Sequence, residues 1–152
     1  MVGPILSPTD TPTVPMNEQT LLASGWQSMI GEGFTAQLGA IWVRGPVKGR
    51  TVGFIATAQQ GNNTQGAVHG GALMTFADIA LGFGAADALG GKNLVTAQLQ
   101  LQFVSGGKVG EFISCEPEVI RASRHLIFVR GLLCADDRVV ASAEGLWKVL
   151  ER

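Results

Sequence analysis

The sequence predicts an α+β domain in which one long helix is wrapped by an antiparallel sheet of five or six strands. From Leu94 to Val104, apolar and polar residues alternate, as in a strand with one face on a core. The segment Gly71–Leu89 is too long for a strand and is apolar around its whole circumference, which is typical of a buried helix. The length of 152 residues fits a single domain.

The N-terminal segment is predicted to be a tail. Residues 1–16 hold four of the six prolines among Ser, Thr and Gly, so they bury too little apolar surface to order themselves. We therefore expect a flexible tail over residues 1–16 and one domain over residues 17–152. In Asn17–Ile30, apolar residues recur at a spacing of three to four, which indicates a helix that Gly31 would end.

The remaining pattern is mostly strand. Runs rich in β-branched or alternating residues are separated by turn signals such as Asp136-Asp137. Consecutive strands with short links pair antiparallel. In the long alternating strand, the predicted core face is Val95, Ala97, Leu99, Leu101 and Phe103. The predicted strands cover residues 40–43, 51–58, 94–104, 110–121, 125–134 and 139–150.

Composition limits the possible partners. The chain is 46% hydrophobic and only 15% charged, which excludes a disordered chain and indicates surface covered in an oligomer, favouring a tetramer. A net charge of −1 provides no basic field for nucleic acid or an anionic membrane. We find no targeting or membrane segment and expect a cytoplasmic protein. Cys115 and Cys134 are far apart in sequence and are expected to be core thiols.

The loop before the long helix carries candidate functional residues. Asn63 and His69 are polar, and Gly70 and Gly71 leave the first helical N–H groups sterically open. Those groups have no partner within a helix, and their partial positive charge suits a developing oxyanion. The two histidines and two cysteines are too widely spaced to predict a metal site.

Asp78 is a polar residue in the middle of the apolar helix. Burying a carboxylate costs several kcal/mol unless it is hydrogen-bonded or neutralised, so its presence favours a chemical role such as general base. The alternatives are a solvated helix face or a structural pair with an arginine.

Helix geometry links the two features. Gly70 and Asp78 are eight residues apart, or about 12 Å along a helix. One carbonyl carbon cannot contact both groups of the same chain, since each must lie within about 3 Å. If both are catalytic, the site is built from two chains related by a two-fold axis, and the protein is at least a homodimer.

The motif Asn-x-x-Gly-x-x-His-Gly-Gly, with Asp nine residues after the His, resembles that of the hotdog-fold acyl-CoA thioesterases, in the phenylacetyl-CoA thioesterase-like branch. The resemblance implies a hotdog fold and hydrolysis of an acyl-CoA substrate. It also implies no metal or separate cofactor, and assembly as a homodimer or homotetramer. The matching residues are Asn63, Gly66, His69, Gly70, Gly71 and Asp78.

The resemblance also implies roles for individual residues. Asp78 would be general base or nucleophile at the thioester carbonyl, and the Gly70 N–H would polarise that carbonyl. Asn63 would hold the attacking water or the thioester, and His69 would orient the loop or bond near the carbonyl. Thr96, in the same subunit as Asp78, would position the carboxylate or water. A loop-fixing role without chemistry for His69 and an ordinary strand position for Thr96 stay open.

A second group of residues is expected to bind the substrate. Gly66 and Gly71 belong to the loop at the thioester, and the corner between two strands would approach the nucleotide of CoA in the family. Arginine suits phosphate, although a turn with solvated arginines is the alternative. The corner residues are Arg121, Ser123 and Arg124.

Two other functions compete with thioester hydrolysis. One is a hotdog hydratase or dehydratase acting on enoyl-CoA, which usually needs a catalytic histidine paired with an acid. The other is a non-catalytic acyl-CoA-binding protein, which would use the helix start at Gly70 but not Asp78. The fold alone does not decide among them.

Overall fold

The computed structural model of the chain describes residues 16–62, 66–91 and 93–150. Within these ranges it contains two α-helices, two short 3-10 helices and eight strands. The 3-10 helices are Gly33–Leu38 and Ala58–Gln60. The other elements are α1 (Glu18–Ala23), β1 (Gln27–Met29), β2 (Ile41–Arg44), β3 (Thr51–Ile55), α2 (Gly70–Ala88), β4 (Leu94–Phe103), β5 (Phe112–Cys115), β6 (Glu118–Ala122), β7 (Leu126–Ala135) and β8 (Arg138–Val149).

The strands form one antiparallel sheet in the order β1-β2-β3-β5-β7-β8-β4, with β6 paired to β7 off this path. Helix α2 packs against the sheet and contacts β3, β4, β6, β7 and β8. The prediction of one long helix with an antiparallel sheet is confirmed. The described sheet has eight strands, however, and not five or six.

Helix α2 contributes one side to the core. Leu73, Phe76, Ala77, Ala80 and Leu81 are buried there among residues of β3, β5, β7 and β8. The opposite side is only half-buried within one chain, at Thr75, Asp78, Ile79, Gly82 and Ala86. Expecting burial on every side was therefore wrong for the single chain, because the sheet covers only one side of the helix.

The helix approaches the sheet closely at a glycine. A Cβ added at Gly84 would lie 2.7 Å from Cβ of Pro117 and 3.5 Å from Cγ1 of Val129. Real Cβ atoms essentially never come as close as 2.7 Å, so only glycine fits here without a shift of the backbone.

The predicted helix Asn17–Ile30 is shorter in the structure. Asn17 caps α1 by accepting the Thr20 N–H (2.9 Å), and α1 ends at Ala23. Gly25 then adopts a φ of +88°, which reverses the chain so that β1 joins the sheet edge. Leu21 and Trp26 of this segment form a second core cluster with Trp42 of β2, against which Met16 packs. The rest of the predicted tail, residues 1–15, lies outside the described residues.

The predicted strand 110–121 is two strands. β5 and β6 both pair with β7, and the chain breaks between them at Glu116-Pro117. Proline has no N–H to continue a ladder, which explains the break.

A part-buried ion pair joins the start of β3 to the last turn of α2. Arg50, just before β3, donates from Nε and Nη2 to the two carboxylate oxygens of Asp87 (2.8 and 2.7 Å). The guanidinium also lies 5.7 Å from the ring centroid of Phe83. Asp87 is buried but fully paired, so its role is structural. None of the described helices is both long and apolar enough to span a bilayer.

Candidate active site

His69 caps the N-terminus of α2. Its backbone is extended (φ −62°, ψ 135°), and its Nδ1 accepts the Gly71 N–H at 2.8 Å. A Cβ at Gly71 would lie 2.9 Å from that same Nδ1, so glycine leaves room for the imidazole. His69 thus fixes the loop at the helix start, since the hydrogen bond orients both its ring and the first helical turn.

The Gly70 N–H is left open by this cap. Among the described residues, none accepts a hydrogen bond from it. The ring of Phe103, at the end of β4, lies beside Gly70, where an added Cβ would be 3.3 Å from Cζ of the ring. The site thus offers an unengaged amide beside apolar surface, where a hydrogen bond to an oxyanion is stronger than in bulk water.

Asp78 and Thr96 come together across α2 and β4. The Thr96 hydroxyl donates to Oδ1 of Asp78 at 2.6 Å, and the carboxylate is half-buried. In the part of the chain that the structure describes, no lysine or arginine forms an ion pair with Asp78. The hydrogen bond occupies one carboxylate oxygen, so the other is available to accept a proton from water.

A β-bulge directs Thr96 toward the helix. Thr96 pairs with Trp147 of β8 and Gln98 pairs with Leu146, so Ala97 is an extra residue in β4. Before the bulge, the even-numbered residues Leu94 and Thr96 therefore face inward. After the bulge, the odd-numbered residues Leu99 and Leu101 do so.

The core face predicted for this strand is therefore only partly right. Leu99 and Leu101 pack on the core, but Val95 is 46% exposed and Phe103 is 57% exposed. Strict alternation would have placed Thr96 on the outer face, because the pattern of apolar residues contains no signal for a bulge.

The distance between Gly70 and Asp78 follows from the unbroken helix. Both residues belong to α2, which runs without interruption from Gly70 to Ala88. Their separation is therefore about 12 Å along the axis. In one chain, the open amide and the carboxylate do not face a common atom.

Gly66 lies in a turn before the helix. Its φ is +70°, a left-handed conformation that favours glycine, and its carbonyl accepts the Val109 N–H at 2.7 Å. Asn63 lies outside the described residues, so its predicted role stays a prediction.

The corner between β6 and β7 places the other predicted binding residues on the surface. Arg121 is exposed on β6, and Arg124 is exposed in the turn. The Ser123 hydroxyl donates to the Leu126 carbonyl (2.8 Å) and accepts the Leu126 N–H (3.1 Å). Ser123 therefore closes the turn, while the arginines project from it.

Sequence reasoning missed two features near the helix start. One is the position of Phe103 beside Gly70, and the other is the first 3-10 helix, whose residues border His69. Neither has a sequence signal, because both contacts join segments far apart in the chain. Within the described ranges, no three His, Cys, Asp or Glu side chains group as a metal site requires.

The family comparison covers the helix and most of the sheet. The model of the thioesterase superfamily matches residues 65–142, just over half of the chain. The chain belongs to the thioesterase superfamily. The matched region contains α2 with Gly70 and Asp78, and also Thr96 on β4.

Comparison with individual proteins shows how far the similarity extends. A Pseudomonas aeruginosa protein named "Putative esterase" is 33% identical over 86 residues, which are 56% of this chain and 64% of that protein's length. The PaaI protein from the E. coli phenylacetic acid degradation operon superposes with a TM-score of 0.64 at 18% identity, covering 89% of this chain and 86% of PaaI. The "Hypothetical Thioesterase Protein" of Streptococcus pneumoniae, solved with coenzyme A, gives 0.66 at 20% identity, over 72% and 85%. The two structural likenesses establish the shared hotdog fold, which confirms the predicted fold. The predicted family is confirmed by the superfamily match over residues 65–142.

Proposed function

We propose that this superfamily member hydrolyses acyl-CoA thioesters to a free acid and CoA, at sites that two copies of the chain share. One observation carries the proposal. The Asp78 carboxylate, oriented by Thr96, lies on the same helix as the open Gly70 amide but about 12 Å from it. Both groups act on one carbonyl only if a second, antiparallel copy of α2 brings its amide end to this carboxylate.

The reaction uses few groups. The Asp78 carboxylate takes a proton from water as the water oxygen attacks the thioester carbonyl carbon. The Gly70 N–H of the other copy donates to the oxygen that becomes negative. The carbon–sulfur bond then breaks, and Asp78 returns the proton to the leaving thiolate of CoA. In the nucleophilic variant, Asp78 attacks the carbonyl carbon itself, releases CoA, and water hydrolyses the resulting anhydride.

The uncovered surface of the single chain supports the proposal that a second copy binds to it. β4 pairs with β8 on one side, and no described strand pairs with its other edge, which exposes backbone donors and acceptors. The half-buried side of α2 contacts β4 at Asp78, which is hydrogen-bonded to Thr96. A second β4 added antiparallel would continue the sheet and cover both surfaces. A homodimer is the minimum assembly, and the low charge content favours a homotetramer.

The identity of the thiol rests on two observations. The S. pneumoniae protein of the same fold was solved with coenzyme A. In this chain, Arg121 and Arg124 project from the β6–β7 corner, where guanidinium groups would suit the CoA phosphates. Asn63, in the loop before α2, would help hold the water or the thioester, while His69 fixes the loop.

The test compares Asp78→Asn with the wild type. We expect the variant to lose about a hundredfold or more of CoA release from acyl-CoA, because the amide cannot accept the proton from water. Its affinity for CoA, measured by calorimetry, should stay near that of the wild type, since in the proposed site Asp78 reaches CoA only at its sulfur atom.

The matched control is Asp137→Asn, the same chemical change at an exposed turn residue. It should retain wild-type turnover. Undiminished turnover in Asp78→Asn would refute the assignment of Asp78, and CoA binding without turnover in the wild type would indicate a non-catalytic acyl-CoA-binding protein.

A further inference from the structure

A pocket of about 570 Å³ lies beside the start of α2. Its walls are the first 3-10 helix, the second 3-10 helix and the first two turns of α2. His69 and Gly71 both line it, so it adjoins the Gly70 N–H. Its volume is typical of small-molecule pockets, which range over roughly 300–1,000 Å³.

Two polar side chains that line this pocket, Thr75 and Gln60, are already hydrogen-bonded within the protein. The Thr75 hydroxyl donates to the Gly71 carbonyl at 2.9 Å. The buried Gln60 amide accepts the Thr57 N–H at 2.8 Å and donates to the Gln37 carbonyl at 2.7 Å, which ties the two 3-10 helices together. These groups therefore present mainly carbon to an occupant, and the walls are held in place before anything binds.

The remaining lining is apolar or neutral. Leu38 and Ala72 add aliphatic surface, and Phe34 stands at the pocket with 73% of its surface exposed. Among the described lining residues, none is an aspartate, glutamate, lysine or arginine. A carboxylate placed in this pocket would lose hydration without gaining a lysine or arginine partner, which costs several kcal/mol.

We propose that this pocket holds the acyl group of the substrate and selects uncharged acyl chains over chains that end in a second carboxylate. The inference rests on the proposed function, because it takes the thioester carbonyl to lie at Gly70. From that point the acyl chain enters the neutral pocket, with Phe34 covering it, while the phosphates of CoA lie elsewhere.

The test compares three substrates of the wild-type protein. Octanoyl-CoA and octanedioyl-CoA have the same chain length and differ in a terminal carboxylate, while acetyl-CoA barely enters the pocket. We expect kcat/KM to be about tenfold or more higher for octanoyl-CoA than for octanedioyl-CoA. Equal values for the two would overturn the proposal. No hydrolysis of any of the three would instead overturn the proposed function.

Two variants then locate the acyl chain. Ala72→Leu fills part of the pocket, and we expect the ratio of kcat/KM for octanoyl-CoA over acetyl-CoA to fall by about tenfold. Phe34→Ala removes an exposed ring without disturbing the core, and we expect the same ratio to fall several-fold. The control is Val47→Ala, the truncation of another exposed apolar side chain, in the β2–β3 turn outside the pocket lining, and it should leave the ratio unchanged. An unchanged ratio in both pocket variants would show that the acyl chain lies elsewhere.

Discussion

Two aspartates on α2 have opposite surroundings, although both interrupt the same apolar helix. Asp87 is buried and receives two hydrogen bonds from Arg50, so its charge is compensated within the chain. Asp78 is half-buried and bonded only by the neutral Thr96 hydroxyl among the described residues. Asp78 therefore differs from Asp87 in having no compensating cation among the described residues, as the proposed role of general base requires.

Cys115 gives a prediction about pH. Burial raises the pKa of its thiol from 9.0 to about 12, and the charges of Cys134 and Glu116 add to the effect. Between pH 9 and 12 the unfolded chain has lost this proton while the folded chain keeps it. The contribution of Cys115 to the free energy of unfolding should therefore be fully present below pH 9. It should fall as pH rises from 9 toward 12, on the order of 1 kcal/mol per pH unit.

Urea unfolding at pH 8, 9.5 and 10.5 measures this effect. The chain has no tyrosine, which removes one group that would titrate in the same range. Cys115→Val should be less steep than the wild type across these pH values. Cys134→Ala should keep most of the slope, since burial is the largest cause at Cys115. If the wild type and Cys115→Val lost the same stability as pH rises, the pH dependence could not be assigned to Cys115.

At the scale of elements, local patterns predicted α2 better than β4. The predicted helix Gly71–Leu89 differs from the observed Gly70–Ala88 by one residue at each end, because its apolar run and its flanking residues are local signals. The bulge at Ala97 depends on how β4 pairs with β8, 50 residues further along the chain, so alternation could not reveal it. The same limit applies to the neutral pocket, whose walls come from three separate segments.

The bulge in β4 leads to a prediction about Thr96. Thr96→Val keeps the shape of the side chain but removes the donor to Asp78, so the carboxylate loses the bond that orients it. A hydrogen bond to a charged group is worth about 1.5–3 kcal/mol, so kcat should fall roughly tenfold to a hundredfold with KM little changed. Thr96→Ser restores the hydroxyl and should restore most of kcat. Steady-state kinetics with octanoyl-CoA measures both, and a Val variant with wild-type kcat would make Thr96 an ordinary strand residue.

At the scale of the whole molecule, a single chain holds Asp78 and the Gly70 amide too far apart to act on one carbonyl. It also leaves the edge of β4 and one side of α2 uncovered. The family and the hotdog fold are established, and the proposed active site requires in addition that α2 meet a second α2 along the β4 edge. Two inactive variants can test this division, because each would damage a different half of the site.

The first variant is Asp78→Asn, which removes the base. The second is Gly70→Pro, which removes the N–H that would bond the oxyanion. Proline is favoured at the first position of a helix, and the extended backbone of His69 suits a residue before proline, so α2 should still form. The Phe103 ring, 3.3 Å from the added Cβ, is exposed and able to move. Gly70→Ala, which keeps the N–H, is the control and should stay active.

We expect each inactive variant to have little activity alone and the two to recover activity together. When equal amounts are unfolded in urea and refolded together, half of the pairs hold one chain of each kind. In such a pair, one of the two sites combines Asp78 from the Gly70→Pro chain with the Gly70 amide from the Asp78→Asn chain. CoA release should therefore rise to about a quarter of the value for wild type refolded in the same way. If both groups acted within one chain, no mixed pair would contain an intact site, and activity that stays at the sum of the two variants would disprove the shared site.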